Sequence, residues 1–509
     1  MGSSTFRNLL IANVVSDVGT FMQNVGAAWL MVSLNAGPMY VALTQTAAAL
    51  PFFVLALPAG AIGDIVDRRK LILYTEFWMV TTAAVLASLT ISGLTSPLLL
   101  LILTFALAAG DAFESPTWRA VLPELVEKQD LPAASALNGI EFNFARAVGP
   151  GLAGAVVALA GVGAAFLINT VSFAGVILVV ARWKRPVVRR AAPPETVAGA
   201  TRAAIRYVRN SPEIRTLLAR SGLAMFFASG LLALLPSIAR RISSSPVSYG
   251  LLLGAFGCGA VLGALVLQRV RSRFPADLLI SSGIAVFGLA AIAVGRLPTI
   301  WTLAPVMLVA GAAWVSFLSL FNVLLLNRAP DWVRARVLAV QLLVSQGAVA
   351  AGSAIWGSVA ARAGINQALL WAGVGAIVST ASALFLRLSD IVPDLTPWNH
   401  WRLPPVQTDI DRGGPVLVAV EYDVSPGRAS EFLEAMREYG RVRRRDGASR
   451  WGISRDLEDA NRYVETFIVS SWEEHLRQHA RLTLADSELE RRLQSYTRRK
   501  PVVRHLLYL

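Results

Sequence analysis

Long apolar stretches recur along the first three quarters of the chain. A helix of about 20 predominantly apolar residues spans a hydrocarbon core of about 30 Å. Reading the apolar windows in order predicts twelve such spans, at residues 6–33, 40–63, 71–91, 98–117, 133–160, 164–181, 217–239, 249–267, 278–294, 301–326, 337–361 and 367–386. The pattern therefore predicts an all-α polytopic membrane protein, with the lipid bilayer as its first partner.

The composition agrees with this class. Of 509 residues, 55% are hydrophobic and only 16% are charged, whereas soluble chains carry about 25% charged residues. No cleavable signal pattern precedes the first apolar run, so we expect that run to be a true span. The single cysteine, Cys258, excludes a disulfide within the chain.

Basic residues are concentrated in alternate loops. If the amino terminus is cytoplasmic, the loops after even-numbered spans hold most of the Lys and Arg, and the outward loops hold mainly Arg240, Arg241, Arg296 and Arg362. An excess of Lys and Arg is typical of cytoplasmic loops. We therefore expect a cell-membrane protein with both termini and its C-terminal segment inside. This asymmetry explains most of the net charge of +14, and charges held in short loops do not favour nucleic acid as a partner.

Composition shifts divide the chain into five parts. A polar, basic, proline-containing connector at 183–214 separates an N-terminal six-helix half, 1–182, from a C-terminal six-helix half, 215–388. A proline-containing linker at 389–414 then leads to a charged segment at 415–509. The last segment is long enough for one small soluble domain.

In the final segment, hydrophobic residues recur every second residue in some stretches, as in strands, and about every 3.6 residues in others, as in helices. Strands are predicted near 416–424, 450–456, 462–472 and 502–509, with helices over 428–445 and 473–497. This β-α-β-β-α-β order predicts a small α+β, ferredoxin-like domain.

The loop after the second span reads GAIGDIVDRRK. Together with two sets of six spans and a basic connector, it resembles the major facilitator superfamily of transporters. The family loop pattern G-x-x-x-D-x-x-x-R-R/K is matched by Gly60, Asp64, Arg68 and Arg69. The resemblance implies that Asp64 latches the start of the eleventh span and holds the cytoplasmic side closed. The alternative is that the charges of this loop, Arg69 above all, only set the topology.

The fifth span contains ARAVGPGLAG, in which Gly149, Pro150 and Gly154 look like the Gly-Pro motif of the antiporter branch. The stretch around it is most similar to the exporter subgroup that includes the enterobactin exporter. The resemblance implies secondary active export, with H⁺ as the expected coupling ion. It leaves open which amphipathic small molecule is carried: a siderophore, a drug or a lipid-like metabolite.

Ionisable residues inside the spans are candidates for coupling, because charge is costly in lipid. Asp17 lies near the middle of the first span, with Gln23 and Asn24 further along the same span. Four more lie in the fourth and fifth spans: Asp111, Glu114, Glu141 and Arg146. For these four the alternative is structural, since Arg146 offers an ion pair to Glu141 or Glu114.

Every histidine lies beyond the spans, so a proton relay through the membrane must use carboxylates. Asp17 is the first choice. In the second half, Gln341 and Gln346 either line the cavity or form hydrogen bonds between helices. No phosphate-cradling G-x-x-x-x-G-K-[ST] loop occurs, so an ion gradient or the substrate's own gradient must supply the energy. No cofactor is expected.

The segment from Val464 onward resembles dimeric ferredoxin-like domains of the antibiotic-biosynthesis-monooxygenase group, on the basis of Trp472, His475 and His479. Neither an HExxH motif nor a nearby third ligand accompanies the two histidines, so no metal site is expected. Two readings of the domain stay open. One is a dimerisation or regulatory module of a transporter that is not itself an enzyme. The other is a membrane-tethered, cofactor-independent monooxygenase.

Overall fold

The computed structural model of this chain describes residues 4–127, 129–183, 197–388, 393–398 and 414–507. Inside three helices, the side chains at positions 4, 56, 57, 60, 61, 63–65, 197, 198 and 200 lie outside the described part. Gly60 and Asp64 of the predicted latch loop fall in this group. The latch that the resemblance implies for Asp64 therefore stays a prediction.

Six long helices make up the first half: α1 (Ser4–Ser33), α2 (Gly37–Ile65), α3 (Arg68–Ile91), α4 (Pro97–Leu125), α5 (Leu131–Ala160) and α6 (Val162–Arg182). Two of them begin at side-chain caps. Asp67 accepts a hydrogen bond from Lys70 N at the start of α3, and Ser96 accepts one from Leu99 N at the start of α4. Such caps satisfy backbone donors that the first helical turn leaves without an intrahelical partner.

The second half follows a helix that was not predicted from the sequence pattern. The connector contains α7 (Val197–Asn210), which is amphipathic, with Ala203, Ala204 and Tyr207 buried on one face. The remaining helices are α8 (Pro212–Ile242), α9 (Pro246–Val270), α10 (Ala276–Arg296), α11 (Ile300–Arg328), α12 (Asp331–Ala363), α13 (Ile365–Ser379) and α14 (Ser382–Phe385).

Eleven helical segments in the described residues are long and apolar enough to cross a membrane. They are α2 to α6, α8 to α12, and the α13–α14 segment. Helix α1 corresponds to the first predicted span and has 30 residues, but it falls outside this set. Most other helix boundaries lie within a few residues of the predicted spans, but α4 extends to Leu125 and not to 117, and α12 begins at Asp331 and not at 337.

The chain divides into two compact units. The first, called here the membrane unit, comprises Met1–Pro193, Ala219–Phe321 and Gln341–Arg387. The second, called the C-terminal unit, comprises Pro194–Leu218, Asn322–Val340 and Leu388–Leu509.

Within the membrane unit, glycines bring α5 and α9 close together. A side chain at Gly154 would place its Cβ 3.2 Å from Gly250 Cα, and one at Gly250 would place its Cβ 2.9 Å from Pro150 O. Further along the same seam, Gly257 lies against Ala147. The two helices can approach this closely only because neither carries a side chain at the crossing.

A second seam joins the two halves between α2 and α12. Thr46 Oγ1 donates a hydrogen bond of 3.0 Å to Ala350 O, and Gly357 packs against Met39. A hydroxyl bonded to a backbone carbonyl of another helix is a common contact between membrane helices. The α5–α9 and α2–α12 seams together connect the six-helix halves.

The C-terminal unit contains a four-stranded sheet. Its elements are β1 (Val416–Asp423), α15 (Ala429–Asp446), β2 (Arg450–Arg455), β3 (Arg462–Val469), α16 (Trp472–Arg481), α17 (Leu484–Gln494) and β4 (Val502–Leu507). The strand order is β2-β3-β1-β4, and every neighbouring pair is antiparallel. This is the predicted element order, with the second helical segment in two pieces.

The buried face of the sheet holds a charged group in an apolar core. Glu465 on β3 is completely buried, and it accepts hydrogen bonds from Tyr422 Oη, Arg443 Nε and Trp451 Nε1 at 3.0, 3.3 and 2.8 Å. The Arg443 guanidinium also lies 4.5 Å from the Tyr439 ring centroid. A buried charge requires such partners, so this network fixes how α15 packs on the sheet.

Candidate functional site

A cavity of about 590 Å³ lies among the helices of the first half. Its lining is acidic and amide-rich, with aromatic and aliphatic side chains between the polar groups. The polar and charged lining residues include Asn13, Asp17, Gln23, Asn24, Glu76, Asp111, Glu114, Arg119, Asn138, Glu141 and Asn169. The structure therefore brings together four carboxylates that the sequence singled out and adds a fifth, Glu76.

Asp17 and Glu141 meet across the contact between α1 and α5. Their carboxyl groups are within hydrogen-bonding contact, and Glu141 is buried. Small residues permit this approach, since a Cβ at Gly149 would lie 2.7 Å from Phe21 Cβ. A hydrogen bond between two carboxyl groups requires a proton on one of them. The pair is therefore a place where one proton can be held and released.

Glu76 and Glu114 form a second carboxyl pair, between α3 and α4. The two groups are in hydrogen-bonding contact, and both residues are buried. Glu114 also accepts hydrogen bonds from Thr75 Oγ1 at 2.7 Å and from Trp118 Nε1. Glu76 was not predicted as a candidate, although an acidic residue two turns inside an apolar helix was a sufficient signal.

Asp111 lies one turn before Glu114 on α4, and its side chain is exposed to the cavity. Among the described residues that line the cavity, Arg119 is the one with a cationic side chain. Five carboxylates therefore face one guanidinium around this space. That balance favours cations, protons and hydrogen-bond donors over anions.

The two predicted polar residues of α1 also lie at the cavity. Gln23 is buried, and its Oε1 accepts a hydrogen bond from Asn169 Nδ2 on α6. Asn24 lines the cavity beside it. The Gln23–Asn169 bond fixes one wall of the cavity and leaves Asn24 to face the space.

The predicted ion pairs of Arg146 are not formed. Among the described residues, the polar contacts of Glu141 and Glu114 are with the other carboxyls and with Thr75 and Trp118, and Arg146 does not line the cavity. The reason is helical geometry. Arg146 follows Glu141 by five residues, which turns it to another face of α5, whereas side chains meet at spacings of three or four.

The antiporter-like motif residues lie at helix seams. Gly149 packs against Phe21 of α1, and Pro150 and Gly154 pack against Gly250 of α9. None of the three lines the described cavity. At these positions the three residues allow neighbouring helices to pack closely. Their role in transport stays a prediction.

Arg68 and Arg69, at the start of α3, form hydrogen bonds to residues near the ends of α4 and α6. Arg68 Nη1 donates to Ala120 O and pairs with Glu124 Oε1, both at 2.7 Å. Arg69 Nε and Nη2 donate to Val180 O and Ala181 O at the end of α6. A cation at carbonyls of a helix C-terminus is favourable, so these arginines have a packing role in addition to any role in topology.

In the second half, the structure places the two predicted glutamines away from the described cavity. Gln341 is buried, where its Oε1 accepts from Ser221 Oγ at 3.1 Å and its Nε2 donates to Ser345 Oγ at 3.3 Å. This is the interhelical alternative considered for it. Gln346 is half-buried on the same helix and does not line the cavity either.

A buried ion pair in the second half was also overlooked. Arg220 on α8 pairs with Asp277 in the first turn of α10 and donates to Ser281 Oγ at 3.1 Å. Arg220 is 2% exposed. An arginine so completely buried needs such partners, and its position inside an apolar run was the available sequence signal.

The predicted aromatic residues of the C-terminal domain form a ring cluster. The centroid of His475 lies 4.7 Å from that of His479, 4.9 Å from that of His505 and 5.4 Å from that of Trp472. Burial and the neighbouring His505 lower the pKa of His475 to about 4. Within the described ranges, no set of three or more His, Cys, Asp or Glu side chains is arranged to hold a metal ion.

Comparison with known proteins places these features in context. A family profile described as "transmembrane secretion effector" matches residues 1–509. A multidrug efflux pump, Tap, of Mycolicibacterium fortuitum is 24% identical over 75% of this chain and 96% of its own length. The enterobactin exporter EntS of Citrobacter koseri is 26% identical over 79% of this chain and 95% of its own.

The staphyloferrin A transporter of Staphylococcus aureus is 22% identical over 73% of this chain and 93% of its own length. Among solved structures, an inward-facing bacterial homologue of the human lysosomal transporter Spinster matches with a TM-score of 0.62 and 13% identity, covering 77% of this chain and all of that one. The nucleoside transporter NupG matches with a TM-score of 0.60 and 13% identity, over 75% of this chain and 99% of its own. At this identity the structural matches establish the fold.

Proposed function

The chain belongs to the transmembrane secretion effector family of the major facilitator superfamily, and from that premise we propose that it exports an amphipathic small molecule in exchange for protons. It is a multi-pass membrane transporter, and access to the cavity alternates between the two sides. The observation that carries the proposal is the acidic cavity of the first half, where two carboxyl pairs and Asp111 surround a space large enough for a small molecule.

The two carboxyl pairs supply the proposed coupling. In the outward-open state, protons bind the Asp17–Glu141 and Glu76–Glu114 pairs and neutralise the cavity, which releases a cationic substrate. In the inward-open state, a substrate bearing positive charge displaces these protons, since proton and cation compete for the same carboxylates. Each turnover then moves substrate outward and protons inward.

The same lining defines the proposed substrate class. Carboxylates and amides alternate with Phe52, Leu107, Phe142 and Phe173 along the cavity. An amphiphile with an apolar ring system and a basic group would bury its apolar part against the rings and place its charge among the carboxylates. The name of the relative Tap supports a drug-like substrate, and those of the staphyloferrin A transporter and enterobactin exporter support siderophores as the competing class.

The distribution of basic residues supports the orientation. We place the amino terminus, α7 and the C-terminal domain in the cytoplasm, because the loops on that side carry most of the Lys and Arg. The membrane is then the cell membrane, and the substrate leaves the cell.

Transport by purified protein tests the proposal. Full-length protein in liposomes with an imposed pH gradient should move lipophilic cations from a panel that also includes siderophores and neutral dyes. Asp17→Asn should abolish gradient-driven movement, whereas the control Glu127→Gln, an exposed carboxylate between α4 and α5, should retain it. Equal activity of wild type and Asp17→Asn would contradict coupling through the cavity.

The C-terminal domain has a proposed regulatory role, supported by contacts inside the C-terminal unit. Arg206 on α7 pairs with Glu474 on α16 at 3.0 Å, and Arg481 pairs with the same carboxylate at 2.7 Å. The two arginines lower the pKa of Glu474, although burial opposes this. One carboxylate thus links the connector helix to the domain.

Aromatic contacts extend this link to the ends of α11 and α12. Tyr207 on α7 donates to Arg328 O at 3.3 Å and meets Trp332 edge to face, with ring centroids 5.6 Å apart. The Arg481 guanidinium lies 4.6 Å from the Trp332 ring centroid. Cation–π contacts of this kind are strongest where water is excluded. These contacts support a domain that restrains α7 and the α11–α12 turn during the transport cycle.

A charge reversal on α7 tests the regulatory role. Arg206→Glu should break the Glu474 link and change the transport rate at least about threefold while leaving substrate affinity unchanged. Arg209→Glu, an exposed arginine on the same helix, is the matched control. Unchanged rates in Arg206→Glu, together with unchanged rates after removal of residues 415–509, would overturn this role.

Pairing with a second copy is the other part of the proposal. The outer face of the sheet carries Leu417, Val464, Ile468 and Leu506, which the alternation of burial turns away from the helices. Leu506 lies on the edge strand β4 and is 48% exposed. An exposed apolar edge and face favour a covered interface. Leu506→Glu should shift full-length protein in detergent from dimer to monomer by light scattering, and an unchanged mass would contradict pairing through this face.

A further inference from the structure

A second cavity lies on the outside of the membrane unit, along the seam between α1 and α6. This groove has a volume of about 730 Å³ and is nearly all apolar. Its lining includes Ile11, Val15, Leu167, Val171, Gly175 and Val179. Ile11, Val15 and Val171 are more than half exposed, as expected of side chains that face hydrocarbon.

The length of the groove matches one leaflet. On α6 it runs from Leu167 to Val179, which at 1.5 Å per residue is about 18 Å. Half of a hydrocarbon core of about 30 Å is about 15 Å. The groove thus has the length of an acyl chain in a single leaflet.

Basic side chains lie at one end of the groove. Arg7 precedes the lining residue Ile11 by one helical turn, and Arg182 follows the lining residue Val179 by three residues, so each lies on the face of its helix that carries the groove. Both arginines are exposed. Arg69, bonded to the last carbonyls of α6, adds a third positive charge at this end.

We propose that this groove is a binding site for an anionic phospholipid of the leaflet on the side of the basic helix ends. An acyl chain fills the space lined by Ile11, Val171 and Gly175, and the phosphate lies between Arg7 and Arg182. Guanidinium groups recognise phosphate with two parallel hydrogen bonds, and basic residues at the membrane surface attract anionic lipid.

The site adjoins the wall of the transport cavity. Gly19 of α1 packs so closely on α6 that a Cβ there would lie 2.7 Å from both Asn169 Oδ1 and Ser172 Oγ. Asn169 lines the acidic cavity, and Ser172 lines the groove. A lipid in the groove would therefore contact the same α1–α6 seam that positions Gln23 and Asn169.

Gly175 provides a variant that fills the groove without disturbing the fold. A Cβ at Gly175 meets no atom within 4 Å, and the same is true at Gly151, an exposed position of α5 that lines neither cavity. Replacing a helical glycine by leucine also favours the helix. Gly175→Leu should therefore block the acyl chain, and Gly151→Leu is a control with the same chemistry at a different place.

Native mass spectrometry of the full-length protein tests the proposal, using phosphatidylglycerol and phosphatidylcholine of equal chain length as probes. We expect phosphatidylglycerol to be retained preferentially, and retention to fall about tenfold in Gly175→Leu and in Arg7→Gln with Arg182→Gln. Gly151→Leu and Arg296→Gln should behave like the wild type. Unfolding temperatures in detergent confirm that each variant is folded.

Two results would overturn the inference. One is equal retention of the two lipids by the wild type, which would exclude headgroup recognition. The other is full retention of phosphatidylglycerol by folded Gly175→Leu, which would place the lipid elsewhere.

Discussion

Arg68, at the start of α3, pairs with Glu124, near the end of α4, with 2.7 Å between Nη1 and Oε1. The two side chains are 20% and 10% exposed, so the pair is only partly screened by water. Arg68 also bonds the carbonyl of Ala120, one turn earlier on α4. A residue that matches the family loop pattern thus holds two helices of the first half together.

The Arg68–Glu124 pair should contribute to stability as a coupled unit. A double-mutant cycle with Arg68→Ala and Glu124→Ala is expected to give a coupling free energy of roughly 1 to 2 kcal/mol. Thermal unfolding in detergent measures it. Additive effects of the two substitutions would mean that the arginine acts on topology alone.

Replacing Glu76 by glutamine should impair transport as strongly as changing Asp17, because it removes a proton site from the second carboxyl pair. We expect the rate of gradient-driven transport to fall about tenfold or more in Glu76→Gln, with Thr75 and Trp118 still holding Glu114. Glu127→Gln serves again as the carboxylate control. Wild-type rates in liposomes for Glu76→Gln would confine proton coupling to the Asp17–Glu141 pair.

The α5–α9 seam should not tolerate a side chain. In Gly154→Leu, atoms beyond Cβ must enter the backbone of α9 at Gly250, at a cost of roughly 1 to 3 kcal/mol or more. The control is Gly151→Leu, on the same helix at a position where a Cβ meets no atom within 4 Å. We expect a clearly lower unfolding temperature for the first variant only, and similar temperatures for both would contradict the close approach.

The C-terminal domain should lose stability as the pH falls. The folded-state pKa of His475 is lowered to about 4, by burial first and by His505 second. The unfolded chain therefore binds the proton more readily between pH 6.5 and 4, so the free energy of unfolding falls across this window, by roughly 3 kcal/mol in total. The groups around His475 are Phe467 on β3, Arg443 on α15, Trp472, Gln478 and His479 on α16, and His505 on β4.

Hydrogen exchange of α16 and β4 peptides in the full-length protein measures this effect. Exchange should accelerate from pH 7 to pH 5 in the wild type, after correction for the intrinsic rate, and less so in His475→Phe, which cannot take up a proton. An identical pH dependence in the two proteins would assign the loss of stability to other groups.

Much of the architecture follows from the order of residues. The length of each apolar stretch predicts where a span lies, because a spanning helix must match the thickness of the bilayer. The recurrence of hydrophobic residues every two or every 3.6 residues predicts the strands and helices of the C-terminal domain. Helix α7 was missed because its 14 residues are polar on average and its buried face consists of small side chains and one tyrosine. Only contacts with distant parts of the chain reveal that face.

The acidic cavity was predictable in kind but not in arrangement. Asp17, Asp111, Glu114 and Glu141 stand out because charge is rare in apolar spans. Which carboxyl meets which depends on helix rotation, and the sequence offers no measure of rotation across helices. This is why an ion pair between Arg146 and Glu141 was predicted as an alternative. Glu76 was overlooked for a different reason, because its position inside an apolar span was itself a sufficient signal; only its pairing with Glu114 required the structure.

The one cysteine of the chain lies beside a contact between the two halves. Cys258 is exposed and follows Gly257, which packs against Ala147 at the α5–α9 seam. A fluorophore or spin label attached to the unmodified sequence would therefore sit at a single known position next to that seam. The protein carries its own attachment point for observing, molecule by molecule, whether this seam opens and closes as substrate and protons are exchanged.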